Sequence, residues 1–299
     1  MKNAGLVYAV LSSLFLSTGF VVAKHFLEYT NPETLNVLWF GIAFLVAAAV
    51  LLLRNRAETV SLFKKNWKDG VIVGGANALA AAFWFQSISL AGPTATAFIV
   101  RFSTIFIIIL GILFLKEKLH LHDIVGMLIA IAGALTISFG NGDYLKAGTM
   151  VALAASLAIA VHQVLSKAYA KNVNPLMLVC VRSFYTALFL FIYALIFSKL
   201  ETFPISQLGS LSAGIVVNAV VGFVFFYKAL ELIDVSKVAI IRTLDPFIVV
   251  IYAFIAFHTF PSLNQFLGGT LVVVGVIVAM YGHALPTLLR TVKGLPWFG

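Results

Sequence analysis

Residues 94–116 read TATAFIVRFSTIFIIILGILFLK, and residues 236–258 read SKVAIIRTLDPFIVVIYAFIAFH. Each is an apolar run long enough to cross a hydrocarbon core about 30 Å thick, which takes about 20 helical residues at 1.5 Å rise. Each also carries an arginine inside the run: Arg101 follows Ile99-Val100, and Arg242 follows Ile240-Ile241. The two arginines stand 141 positions apart. Working outward from them, the same offset pairs Asn77 with Asn218 and Phe85 with Phe226. At 142 Gly126 and Gly133 meet Gly268 and Gly275, and at 143 Lys24 meets Lys167 and Asn31-Pro32 meets Asn174-Pro175. Polar residues recurring in the same order at nearly one shift define an internal repeat, with small loop insertions explaining the drift.

The rest of the chain has the same texture. Apolar runs separated by polar punctuation predict ten spans, near 4–27, 33–53, 70–90, 94–116, 121–140, 146–169, 174–198, 208–231, 236–258 and 262–283. The breaks include Asn31-Pro32, Arg54 through Asp69, Gly92-Pro93, Lys116-Glu117-Lys118, Asn141-Gly142-Asp143, Asn174-Pro175, Phe203-Pro204 and Phe260-Pro261. Hydrophobic residues form 62% of the chain and charged residues 10%, a balance that requires lipid as solvent and leaves no room for a large soluble domain. Residues 1–143 form the first five-helix unit and 144–283 the second, and 284–299 read as a cytoplasmic tail or an appended remnant.

The formal charge of +9 does not point to nucleic acid, because the basic residues lie in short loops beside apolar segments. With the N-terminus inside, Lys2, Arg54, Arg56, Lys64, Lys65, Lys68, Lys116, Lys118, Lys167, Lys171, Lys237, Arg290 and Lys293 fall on the cytoplasmic side, against Lys24, Lys146 and Lys199 outside. That excess predicts both termini inside; the expected location of this multi-pass chain is a bacterial cytoplasmic membrane. Cys180 is the only cysteine, so no intrachain disulfide and no thiolate metal cluster is available.

Five spans per unit is an odd number, so the second unit enters the membrane from the opposite face. The expected fold class is therefore all-α, ten transmembrane helices as two inverted five-helix repeats. Inverted repeats are a common construction of secondary transporters, in which exchanging the two halves' geometries opens one midplane site to alternate sides. The paired units, with Phe114-Leu115-Lys116-Glu117-Lys118 followed by Gly126 and Ile131-Ala132-Gly133, resemble the EamA family of the drug/metabolite transporter superfamily. In the second unit Phe257-His258-Thr259-Phe260 replaces the acidic turn, a departure from the pattern. The resemblance covers residues 4 to about 283 and implies a ten-helix basket with a central cavity lined by its first, third, fourth, sixth, eighth and ninth spans. It names no cargo.

Ionisable groups at membrane depth cost at least about 2.5–3.5 kcal/mol near a helix centre and mark functional positions. Arg101 and Arg242 are the first candidates, each offering a fork of donors to a carboxylate or phosphate of a cargo. The competing reading for Arg242 is an internal pair with Asp245, three residues on along the same helix face. Arg182 is a third candidate without a basic counterpart, since the repeat sets it against Trp39. Asn77 and Asn218 are repeat-related amides that either bind cargo or tie helices together. Trp84 and Tyr227 are aromatic candidates for the cavity wall, with Phe15, Phe85, Tyr185 and Phe226 alongside. His162 and Gln163 form a polar island, suited either to proton coupling or to helix packing, with Asp245 in the same coupling or pairing role. His120 and His122 supply too few ligands for a metal.

The function this predicts is secondary active transport of a small metabolite, an amino acid or another carboxylate- or phosphate-bearing solute, by alternating access. The alternative is export of amines or hydrophobic drugs, and a more distant one is a membrane scaffold or receptor without transport. No enzyme is expected: the chain has no Gly-x-Ser-x-Gly, no His-Glu-x-x-His and no nucleotide-binding loop. No cofactor is expected either. The partners are the solute, the bilayer and a proton or other coupling ion, and one chain, holding both halves of a pathway, suffices as a monomer.

Overall fold

The computed structural model describes residues 2–115, 121–139, 147–170, 173–233, 235, 238 and 241–281. The turns at Lys116-Glu117-Lys118 and Asn141-Gly142-Asp143, together with His120, Lys146, Lys171, Lys237 and everything from 282 onward, lie outside the described residues.

Every described element is helical: α1 (Lys2–Phe26), α2 (Pro32–Arg54), α3 (Arg56–Lys65), α4 (Trp67–Ile99), α5 (Phe102–Leu115), α6 (Leu121–Phe139), α7 (Ala147–Ala170) and α8 (Pro175–Ile196). They continue with α9 (Ile205–Leu232), α10 (Asp245–Phe257) and α11 (Leu263–Tyr281). Six of these are long and apolar enough to cross a membrane, and shorter apolar helices occur at Ile124–Gly133 and Leu263–Val278. Side chains such as Leu45, Leu128 and Ile255 stand about two-thirds exposed on the outside (63%, 60% and 66%), which only a lipid surround makes favourable. The chain is a multi-pass integral membrane protein.

Local chemistry explains the boundaries. Asn31 and Asn174, the repeat-related caps, each turn a side-chain oxygen onto a free amide of the first turn, Thr34 N–H at 2.8 Å and Leu176 N–H at 2.9 Å. Each is followed by a proline at the first helical position, where the missing N–H costs nothing. α4 holds two helical segments divided at Gly92, whose φ of 80° only glycine adopts freely, with Pro93 starting the next segment. The break from Arg54 to Asp69 contains a helix that hydropathy does not reveal. α3 is started by Asn55, which accepts from Glu58 N–H at 3.2 Å and donates to the Glu58 carboxylate at 3.1 Å, a reciprocal cap.

Packing between the halves is reciprocal. α1 packs on α9 and α10, while α7 packs on α4 and α5; α2 pairs with α8, and α6 with α11. In the last pair, a Cβ added at Gly133 would sit 2.5 Å from Gly268 O, and one at Gly275 would sit 2.5 Å from Gly126 O. The four glycines aligned by the repeat thus face one another, each letting the opposing backbone approach where any side chain would hold it off.

Candidate functional site

Both arginine-bearing segments are broken at the arginine. Around Arg101 the backbone makes three-residue bonds, Arg101 N–H to Phe98 O at 3.2 Å and Thr104 N–H to Arg101 O at 3.0 Å, before α5 resumes at Phe102. Arg242–Leu244 is a 3₁₀ turn leading into α10. Such tightened turns inside long helices free carbonyl oxygens and often mark functional positions.

The two breaks meet. Arg101 Nη1 donates to Arg242 O at 2.6 Å and lies 3.2 Å from Asp245 Oδ2, while Arg242 Nε donates to the same oxygen at 3.1 Å. Asp245 is fully buried at the start of α10, where the positive end of the helix favours a carboxylate. Its Oδ1 and the Arg101 Nε have no hydrogen-bond partner among the described residues. Two guanidiniums therefore share one carboxylate oxygen, leaving a net positive cluster with spare donors. The internal pair of Arg242 with Asp245 is present, and Arg101, from the other half of the repeat, joins the same cluster.

This cluster borders a cavity of ≈ 110 Å³. Arg101, Arg242, Asn77, Asn218, Trp84, His162 and Gln163 all line it, as do Phe85 and Phe226. The lining comes from α1, α4, α7, α9 and the broken segments at Val100-Arg101 and Arg242, matching the spans the family resemblance implied. α2 adds Trp39 and Phe40. The asparagines also tie helices: Asn77 Nδ2 donates to Thr186 Oγ1 at 3.1 Å, and Asn218 Nδ2 donates to Leu16 O at 2.8 Å. His162 Nε2 stands 3.2 Å from Ser166 Oγ. Lys167 reaches the Ile233 carbonyl at 2.8 Å, at the C-terminal end of α9, where a cation complements the helix dipole.

Arg182 and Tyr227 do not line the cavity. Both are fully buried behind Phe223, whose ring centre lies 3.7 Å from the Arg182 Cζ. The lining residues that sequence reasoning passed over include Leu16, Phe20, Trp39, Phe40, Ile159 and Phe223. Only Trp39 carried a signal, as the position that the repeat sets against Arg182.

Residues 3–139 and again 146–281 match the EamA-like transporter family. The chain is 24% identical over 294 residues to the uncharacterized transporter YyaM of Bacillus subtilis strain 168, covering 93% of this chain and 94% of that one. It is 23% identical over 302 residues to the uncharacterized inner membrane transporter YhbE of Escherichia coli K12, covering 94% and 92%. A chain of known crystal structure superposes with a TM-score of 0.68 at 18% identity, over 98% of this chain and 100% of its own, which shows a shared fold. With the family matched once in each half, over nearly the whole length, this chain belongs to the EamA-like transporter family.

Proposed function

We propose that this protein is a secondary carrier that moves a small metabolite bearing a carboxylate or phosphate across the cytoplasmic membrane by alternating access, using ten spans in two inverted halves. The observation that carries the reading is the cluster of Arg101 and Arg242 on the single carboxylate of Asp245, at the wall of the cavity. A net positive cluster in a low-dielectric site attracts an anionic group strongly, and arginine's planar fork suits carboxylate and phosphate. The reciprocal contacts fit two halves related by a pseudo-two-fold axis, and an odd number of spans in each half would set that axis in the membrane plane. The inner-membrane assignment of the Escherichia coli relative supports the location.

In this reading Asp245 holds the arginines while the site is empty, and the cargo's anionic group takes its place. Exchange of partners at the meeting point of two broken helices links cargo binding to movement of one half against the other. The aromatic wall of Phe20, Trp39, Phe40, Trp84 and Phe85 receives the uncharged part of the cargo. His162 and Gln163 line the same cavity as hydrogen-bonding groups, and a single chain is the working unit. Proteoliposome counterflow tests this with a panel of amino acids, organic phosphates, carboxylates and amines. Saturable accumulation of a labelled anionic or zwitterionic solute is expected; accumulation confined to amines would overturn the anion assignment in favour of amine export.

A further inference from the structure

Arg182 presents a different problem from the cavity arginines. It is fully buried, and no carboxylate pairs with it among the described residues. Among the described residues its Nε and Nη1 have no hydrogen-bond partner, and Nη2 has only Ser183 Oγ at 3.4 Å. The Tyr227 hydroxyl interacts electrostatically with Arg182 and Ser166 but makes no hydrogen bond of good geometry among the described residues. What surrounds the guanidinium is aromatic: Phe223 at 3.7 Å, Phe40 at 5.7 Å and Tyr227 at 5.9 Å from ring centre to Cζ. Ring faces stabilise a cation, but they accept no hydrogen bonds along its edge, so a buried unpaired guanidinium keeps a large unmet demand for an anion.

Phe223 stands between this group and the cavity, because its ring both stacks on Arg182 and forms part of the cavity wall. It is the first residue after a π-helical stretch, Val216–Gly222, in α9. A wide turn of that kind accommodates a one-residue slip of the helix and recurs at functional positions. The repeat-related stretch of α4 is regular α-helix, so the device belongs to the second half alone, as Arg182 does.

We propose that Arg182 is a second anion subsite, shuttered from the cavity by Phe223, which takes one small anionic group between Arg182 and Tyr227 when that ring swings aside. The group is either a dissolved halide or the far end of a dianionic cargo whose first charge sits on Arg101 and Arg242. This extends the carrier reading, but it is measured without transport.

The experiment is ³⁵Cl NMR line broadening on purified protein in nanodiscs, with chloride as the probe. Wild type should broaden the line beyond empty nanodiscs, and part of that excess should vanish in Arg182→Gln while persisting in Arg182→Lys and Arg101→Gln. Phe223→Ala should bind chloride roughly tenfold more tightly, because the stacked ring no longer has to be displaced, and the gain should disappear when Arg182→Gln is added, which separates it from chloride held by a misfolded chain. Succinate displacing the Arg182-dependent broadening where butyrate does not assigns the subsite to a dianionic cargo. Displacement by neither assigns it to a halide. Identical broadening in wild type, Arg182→Gln and Phe223→Ala would overturn the proposal and leave the Arg101–Arg242 site standing. Arg182-dependent broadening without any anion counterflow would instead overturn the carrier reading alone.

Discussion

Replacing Asp245 with Asn tests the idea that this carboxylate is a stand-in for cargo. The side chain is fully buried, and its Oδ2 lies 3.2 Å from Arg101 Nη1 and 3.1 Å from Arg242 Nε. Asp245→Asn keeps the shape and removes the charge, leaving two neighbouring guanidiniums buried with nothing to balance them. Breaking a buried pair in this way costs about 3–5 kcal/mol, so the purified variant should unfold at a clearly lower temperature than wild type in low salt. Anions should then restore what the mutation removed: a ligand at a hundred times its dissociation constant returns about 2.7 kcal/mol. In wild type the same anion must first displace Asp245, a charge-assisted contact worth about 1.5–3 kcal/mol, so the variant should half-saturate at an anion concentration roughly ten- to a hundredfold lower. Thermal unfolding in nanodiscs, titrated separately with phosphate, acetate and chloride, reads both effects. A variant as stable as wild type, with the same anion midpoints, would rule out Asp245 as the stand-in.

Two further outcomes check the scaffold around the site. Gly133→Leu places a side chain where even a Cβ would stand 2.5 Å from the Gly268 carbonyl; overpacking of that kind costs about 1–3 kcal/mol, read as a lowered midpoint of unfolding in SDS, whereas the same change at Gly41, where a Cβ meets nothing within 4 Å, should leave the midpoint unmoved. Asn55→Ala removes the cap of α3 and should weaken that helix by about 1 kcal/mol, seen as faster hydrogen exchange of the Glu58 and Thr59 amides with counterflow unchanged.

Much of this architecture was readable from residues whose chemistry is local or periodic. The Asn-Pro starts of α2 and α8 are caps in the structure because an asparagine oxygen and a proline ring meet the needs of a helix N-terminus wherever they occur. The glycines spaced alike in both halves do face one another across α6 and α11. α3 is too polar to register in hydropathy, and its local signal is the Asn55 and Glu58 pair. Within the site, sequence position gave Arg101, Arg242 and Arg182 their depth along a helix but not the direction each side faces. Direction depends on helix packing between the halves: it brings Arg101 to Asp245, 144 positions away, and turns Arg182 away from the cavity that its repeat partner Trp39 lines. The aromatic wall was hidden for a different reason, since 27 phenylalanines in a lipid-facing chain dilute any signal from Phe20, Phe40 or Phe223.

In the proposed carrier, Arg101 and Arg242 together hold the anionic group of the cargo. The most direct test is counterflow of one labelled anionic solute through wild type, Arg101→Ala and Arg242→Ala, reconstituted at equal density and each shown to be folded by its elution profile. Loss of a charge-assisted contact of about 1.5–3 kcal/mol predicts a fall of roughly ten- to a hundredfold in kcat/KM for each variant. Exchange at the wild-type rate in both variants would contradict the claim.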